Sequence, residues 1–320
     1  MHETSLFTLG DIILIYFDTP RLNIEWFWSV IAFGGIPAIC NPLSNNLETL
    51  KAHLTHINAL FKQPRVLTTR KLADYFNLVP ELRVTPVEDI GLLALPADAI
   101  EPSGDCIRVN EPAALLFTSG STGNAKAVEF NHSQLLLAVK GKNELHKTGI
   151  DTNYLTWVGQ SIMLDLLITR RLTLIVQGLD HSANLAEIHL NAMFNGSCQV
   201  HVLTADVINE PTGFLYLLAR YRIGYTFAPN FFLRAVVRGF EKLEKIPEWD
   251  LRYLRVIMCA GEANRVSTIK EADTIITSLG GPSHTLKTAY GLSEVSKPLL
   301  DDMQGMNTNT GLADLCCNLL

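Results

Sequence analysis

Apolar residues along the chain fall into two kinds of run that alternate. Short continuous runs at Asp11 to Phe17, Ile36 to Cys40 and Arg65 to Thr68 have the length of buried strands. Between them the apolar positions recur at helical spacing. Ile24, Phe27, Trp28 and Ile31 mark a helix over Asn23 to Phe33 that Gly34-Gly35 ends, and Leu50, Leu54, Ile57 and Phe61 form one stripe of a helix over Leu47 to Phe61. The region from Pro96 to Gly104 reads as a loop, and Arg108 to Pro112 leads into a further strand. The second half repeats the rhythm. Strands are predicted at Gln199 to Leu203 and Gly224 to Ala228 with a helix over Pro211 to Tyr221 between them. Another strand follows at Leu254 to Cys259, then a helix over Val266 to Leu279 stopped by Gly280-Gly281, then a strand at Thr285 to Tyr290. This order predicts an α/β fold of layered, mainly parallel sheets flanked by helices. No internal repeat or low-complexity segment is visible.

One stretch stands out chemically: Leu115-Leu116-Phe117-Thr118-Ser119-Gly120-Ser121-Thr122-Gly123-Asn124-Ala125-Lys126-Ala127-Val128. An apolar run enters a loop of Gly, Ser and Thr, a lysine closes it, and a second apolar run leaves. Exposed backbone N–H groups, hydroxyls and one cation are what a triphosphate needs from a protein. The P-loop pattern G-x-x-x-x-G-K-[ST] fails here, because counting from Gly120 puts Ala125-Lys126 at its Gly-Lys pair and Ala127 where a Mg²⁺-binding hydroxyl belongs. The exit differs too. Ala127 to Phe130 reads as a strand before a helical run beginning near Ser133, whereas a P-loop opens straight into a helix.

Composition narrows the class. Nearly half of the 320 residues are apolar (48%) and 18% are charged, which fits a folded globular chain. A net charge of −6 with no Lys/Arg cluster argues against nucleic acid as a partner. The six cysteines show no C-x-x-C spacing, and Cys316 and Cys317 are adjacent, so free thiols in a reducing compartment are expected rather than disulfides or a zinc site. The start, Met1-His2-Glu3, lacks the basic region of a signal peptide, which makes a cytoplasmic location the expectation.

The Thr118 to Lys126 segment resembles the signature of the adenylate-forming superfamily: acyl-CoA synthetases, luciferases, and the adenylation domains of nonribosomal peptide synthetases and related reductases. Two further segments carry the likeness. Thr288-Ala289-Tyr290-Gly291-Leu292-Ser293-Glu294 is similar to that family's aromatic-Gly-x-Thr/Ser-Glu motif. Cys259-Ala260-Gly261-Glu262-Ala263 is similar to its Gly-Gly-Glu turn, with Ala260 replacing the first glycine. Phe227-Ala228-Pro229-Asn230-Phe231 together with Leu179-Asp180-His181 looks most like multidomain fungal and bacterial adenylating synthetases and reductases.

The resemblance implies ATP-dependent activation of a carboxylate as an acyl- or aminoacyl-adenylate, then transfer to CoA or a phosphopantetheine thiol, in a secondary-metabolite setting. By it, Thr118, Ser119, Gly120, Ser121, Thr122 and Gly123 wrap the β- and γ-phosphates and Lys126 adds charge. Tyr290 and Gly291 hold the adenine side, Ser293 touches the α-phosphate, Glu294 holds Mg²⁺, and Gly261 and Glu262 belong to the nucleotide wall. Ala228, Pro229 and Asn230 line the acyl pocket, with His181 gating the carboxylate. Plainer readings stand beside these: a loop histidine for His181, a strand-end turn for Ala228 to Asn230, and a helix-start residue for Glu294. The Trp26, Phe27, Trp28 cluster reads as core.

Departures from the family pattern set further expectations. Gln160 to Gln177 separates Trp157-Val158-Gly159 from Leu179-Asp180-His181, which the resembled subgroup joins almost directly. Asp165 and Arg170-Arg171 at its middle make a membrane span costly. It reads as a helical insertion or, in the favoured reading, as translated non-coding sequence. The tail after Glu294 also stops resembling the family. No Thr-Gly-Asp for the ribose occurs, and no hinge or mobile C-terminal domain with its catalytic lysine follows. The expected organisation is a partial first α/β subdomain at 1–110, a phosphate-loop segment with its following helix at 111–150, a second subdomain at 151–297 with the insertion at 160–177, and a non-family tail at 298–320. The chain thus reads as an internal slice of an adenylating domain whose catalysis is open. Its expected partners are a small carboxylic acid and a carrier protein or a chain supplying the C-terminal domain, with no nucleic acid and no membrane. The alternative is a non-catalytic remnant or a nucleotide- or acyl-binding module; a P-loop phosphotransferase is disfavoured by the spacing.

Overall fold

The structure, a computed structural model, describes residues 8–40, 43–44, 46–90, 109–118, 126–157, 179 and 183–289. The suspected insertion at 160–177, the 96–104 loop and the 298–320 tail therefore lie outside the described residues. The described residues divide into two compact units, one of residues 8–133 with Leu179 and one of residues 134–157 and 183–289.

The first unit is built on a six-stranded sheet. β1 (Ile12–Tyr16), β2 (Ile36–Ile39), β3 (Arg65–Thr68), β4 (Arg83–Pro86), β5 (Pro112–Thr118) and β6 (Lys126–Asn131) lie in the order β4-β3-β1-β2-β5-β6. All neighbours are parallel except β5 and β6. Helices α1 (Pro20–Ala32), α2 (Leu47–Phe61) and the single turn α3 (Arg70–Ala73) connect the parallel strands. Local chemistry fixes the helix ends. Asn46 Oδ1 accepts from the Glu48 and Thr49 N–H groups at 3.0 and 3.1 Å, satisfying donors that the first turn of α2 leaves free. Pro20 follows the Thr19 cap of α1, and Gly34 beyond its end adopts φ +79°, where a Cβ would also meet Leu9 at 2.4 Å. Leu14, Tyr16, Ala38, Leu54, Ile57, Val66, Phe76 and Phe117 fill one core of this unit.

The second unit opens with α4 (His132–His146), whose body belongs to it, and carries a five-stranded, wholly parallel sheet. Its strands are β7 (Asn153–Thr156), β8 (Gln199–His201), β9 (Ile223–Phe227), β10 (Val256–Cys259) and β11 (Leu286–Thr288). Their spatial order is β8-β7-β9-β10-β11. A π-helical segment (Ala183–His189) runs into α5 (Leu190–Asn195). Then come α6 (Thr204–Asn209), α7 (Gly213–Arg220), α8 (Asn230–Phe240) and α9 (Val266–Ser278). Both faces of this sheet are covered, as parallel sheets require. Along β10, Ile257 and Cys259 face a core shared with Trp157, Phe214 and Phe232, while Val256 and Met258 face one shared with Tyr154, Ile188 and Tyr225.

The chain leaves β7 toward β8 on one side, then returns to build β9, β10 and β11 on the other. The strand order reverses between β7 and β9. In open α/β sheets ligands bind outside the carboxyl ends of the strands at such a point.

Candidate functional site

In the first unit, β5 and β6 form an antiparallel hairpin with Phe117 opposite Ala127 and Thr118 opposite Lys126. β5 is an interior strand, pairing with β2 through Leu115 and Leu116 on its other side, and Ala113 to Phe117 are buried. The ladder thus sets Thr118 and Lys126, which flank the stretch 119–125 in sequence, opposite each other. Both strands expected around that stretch are present, with α4 beginning at His132 only after β6 is complete. Lys126 is exposed at the first position of β6. Ser119, Gly120, Ser121, Thr122 and Gly123 lie outside the described residues, as does the side chain of Thr118.

In the second unit, the sequence segments singled out for chemistry fall at the carboxyl ends of neighbouring parallel strands. Phe227 to Phe231 leaves β9, Cys259 to Ala263 leaves β10, and Thr288-Ala289 leaves β11. Trp157 leaves β7 at the other side of the switch point. Its indole N–H donates to the Phe227 carbonyl at 2.8 Å, and its ring lies 4.2 Å from that of Phe232. Trp157 therefore fixes the spacing of the β7 and β9 ends. The four-residue strand before it gives no periodic signal, so sequence alone left Trp157 as a landmark rather than a structural tie.

Ala228, Pro229 and Asn230 are all buried. The Ala228 N–H extends the β9–β10 ladder, donating to the Met258 carbonyl at 2.9 Å. Asn230 opens α8, and its Oδ1 accepts from the Arg265 N–H at 2.9 Å. Gly261 sits at φ +87°, in the left-handed region that glycine adopts without a steric penalty, and lets the chain turn sharply after β10. Asn264 Nδ2 donates to the Cys259 carbonyl at 2.8 Å and closes that turn. The exposed Glu262 reaches across to α8, where its Oε1 accepts from the Phe231 N–H at 2.5 Å. The structure thus places Ala228, Pro229 and Asn230 in one segment and Gly261 and Glu262 in another, with hydrogen bonds tying the two segments together. Asn264 and Arg265 complete the arrangement, and neither carries a motif that would mark it in the sequence.

Burial pushes the Cys40 and Cys259 thiols up to about 12, so neither supplies a thiolate near neutral pH. Among the described residues no group of three or more His, Cys, Asp or Glu side chains could hold a metal ion. The expected Mg²⁺ ligand Glu294 lies outside the described residues, together with Tyr290, Gly291, Ser293 and His181. No helix among the described residues is long and apolar enough to cross a membrane.

The second unit's parallel sheet carries the Phe227–Phe231, Cys259–Ala263 and Thr288-Ala289 segments at its strand ends, and β5 and β6 of the first unit flank the Gly/Ser/Thr-rich sequence before Lys126, as expected of an adenylate-forming α/β fold. The comparisons agree. The chain matches the AMP-binding enzyme family over residues 10–313. It is 33% identical over 303 residues to the nonribosomal peptide synthetase apvA of Aspergillus terreus, covering 92% of this chain and 30% of that protein. It is 36% identical over 286 residues to the microperfuranone synthase of Emericella nidulans, covering 89% and 28%. Among solved structures, the adenylation domain of a keto acid-selecting nonribosomal peptide synthetase module superposes with a TM-score of 0.70 at 23% identity, covering 91% of this chain and 49% of that one. A fatty acid AMP ligase from Legionella pneumophila superposes with a TM-score of 0.73 at 20% identity, covering 91% and 47%. The chain belongs to the AMP-binding enzyme family. It spans about 30% of the length of the curated relatives it matches.

Proposed function

We propose that this chain binds ATP and a carboxylic acid and serves the activation of that acid as an acyl- or aminoacyl-adenylate, within secondary metabolism. One observation carries the reading: Phe227–Phe231, Cys259–Ala263 and Thr288-Ala289 leave the carboxyl ends of adjacent parallel strands, beside the strand-order switch. In this reading the carboxylate attacks the α-phosphorus of ATP, the bond to the β-phosphate oxygen breaks, and pyrophosphate leaves. The protein's contribution is positioning and charge neutralisation. Thr118, Ser119, Gly120, Ser121, Thr122 and Gly123 present amides and hydroxyls to the β- and γ-phosphates, and Lys126 adds the cation. Tyr290 and Gly291 take the adenine, Ser293 the α-phosphate and Glu294 the Mg²⁺. Gly261 and Glu262 belong to the nucleotide wall, while Ala228, Pro229, Asn230 and His181 belong to the acyl side. The thiol acceptor is CoA or the phosphopantetheine of a carrier protein. The three described cysteines are all free, which supports a reducing, cytoplasmic setting.

Titration calorimetry with ATP–Mg²⁺ tests the reading. Wild type should bind, and Lys126→Ala should weaken affinity about tenfold or more, since a hydrogen bond between charged groups contributes about 1.5–3 kcal/mol. Absence of binding, or indifference to Lys126→Ala, contradicts it.

A further inference from the structure

We infer that Glu262 is a positioning residue: with Asn230 it forms a two-way latch that locks the start of α8, next to the acyl-side segment, to the turn after β10. The inference rests on the reading above for what the two segments bind. The latch itself is visible without any ligand.

Two side-chain-to-backbone bonds cross the same gap in opposite directions. Asn230, the first residue of α8, lends its Oδ1 to the N–H of Arg265, the residue capping α9. Glu262, in the turn before α9, lends its Oε1 to the N–H of Phe231, the second residue of α8. Each helix start is thus satisfied by a side chain from the other segment, where helix N-termini ordinarily use a residue of their own. Both helices lack a side-chain bond from their own cap: Pro229 precedes α8 and has no side-chain acceptor, and Arg265 gives none to α9. A carboxylate at the start of α8 is also favoured by the partial positive charge there. Further bonds brace the rest of the assembly. The Ala228 N–H is held by Met258, Asn264 braces the turn against Cys259, and Gly261 supplies the left-handed bend. Asn230 is buried, so its bond is shielded, whereas Glu262 is exposed and acts by geometry more than by field.

The role separates cleanly from direct contact with a nucleotide or Mg²⁺. A latch needs an acceptor oxygen at the Glu262 side-chain end, and a glutamine amide supplies one. Contact with a cation needs the negative charge, which glutamine lacks.

Residue-resolved amide exchange on the full, ligand-free chain decides the matter. Glu262→Ala should speed exchange at both the Phe231 and Arg265 amides, on the order of tenfold. Asn230→Ala should speed the same pair. Glu262→Gln should leave both within about threefold of wild type. Acceleration at Phe231 alone in Glu262→Ala would mean two independent bonds and would overturn the latch, as would Glu262→Gln behaving like Glu262→Ala. Failure of wild type to bind ATP–Mg²⁺ would sink the proposed function, while the ligand-free exchange would still decide the latch.

Discussion

The β5–β6 pair and the carboxyl edge of the β7–β11 sheet hold their proposed site residues by different means. In the β5–β6 pair the placement is all backbone: the ladder sets Thr118 opposite Lys126, over a core of apolar side chains such as Leu115 and Phe117. At the carboxyl edge the placement runs through side chains. Trp157, Asn230 and Glu262 each bond to backbone atoms of another segment, and Asn264 bonds to the carbonyl at the start of its own turn. Deeper in that second unit, polar groups also hold the helices to the sheet. The Lys142 ammonium pairs with the Glu187 carboxylate, whose other oxygen accepts from the Tyr225 hydroxyl at 2.8 Å. Backbone-held geometry tolerates side-chain change, whereas side-chain-held geometry does not. The second unit should therefore be the fragile one.

The largest expected effect breaks the buried pair. Lys142 and Glu187 side chains are 5% and 8% exposed, so Glu187→Ala leaves an ammonium buried without its partner. The loss should be about 3–5 kcal/mol, and the Lys142→Met/Glu187→Leu double variant should recover most of it. Urea unfolding followed by a probe in the second unit measures both. Next comes acid sensitivity. Burial pushes the His189 imidazole down to about 4, against its ordinary 6.5. The neutral form is favoured in the folded state, so the stability this residue contributes is complete above pH 6.5 and lost as pH falls from 6.5 through about 4. The loss is on the order of 3 kcal/mol by pH 4, and His189→Gln should flatten that slope in a pH series of unfolding curves. Trp157→Phe should cost less, about 1–3 kcal/mol, because the Phe227 carbonyl loses its indole donor while most of the ring packing stays. Smallest of all, Lys126→Ala on the exposed start of β6 should change stability by under about 0.5 kcal/mol by thermal unfolding, with its effect confined to ATP affinity. A Lys126→Ala loss as large as that of Trp157→Phe would erase the contrast between the two regions.

The legibility of the fold follows the same division. The Leu47–Phe61 helix and Arg65–Thr68 strand have the predicted bounds, since a full apolar stripe behind a capping Asn46 and a compact β-branched run are local signals. β7 escaped because Asn153–Thr156 is four residues with polar ends, and only its place in the middle of a sheet makes it a strand. The π-helical Ala183–His189 and the half-exposed edge strand β4 lack a periodic pattern for similar reasons. α8 was legible and unread: Phe232, Leu233, Val236 and Val237 repeat at helical spacing. At the candidate site, the residue types at the ends of β9 and β10 were readable, and so were the two strands around the stretch 119–125. The ties among them were not. Glu262 to Phe231 spans 31 residues and Asn230 to Arg265 spans 35, distances at which one sequence carries no pairing signal.

The central claim, that this chain binds ATP–Mg²⁺ as proposed, is tested most directly by the hydrogen-exchange footprint of ATP–Mg²⁺ on the full chain. The account predicts slowed exchange in peptides covering Phe117 to Val128 and in those covering Cys259 to Ala263 and Leu286 to Ala289, with helices α1 and α2 unchanged. Protection confined to other segments, or no protection at a saturating ATP concentration, would contradict it.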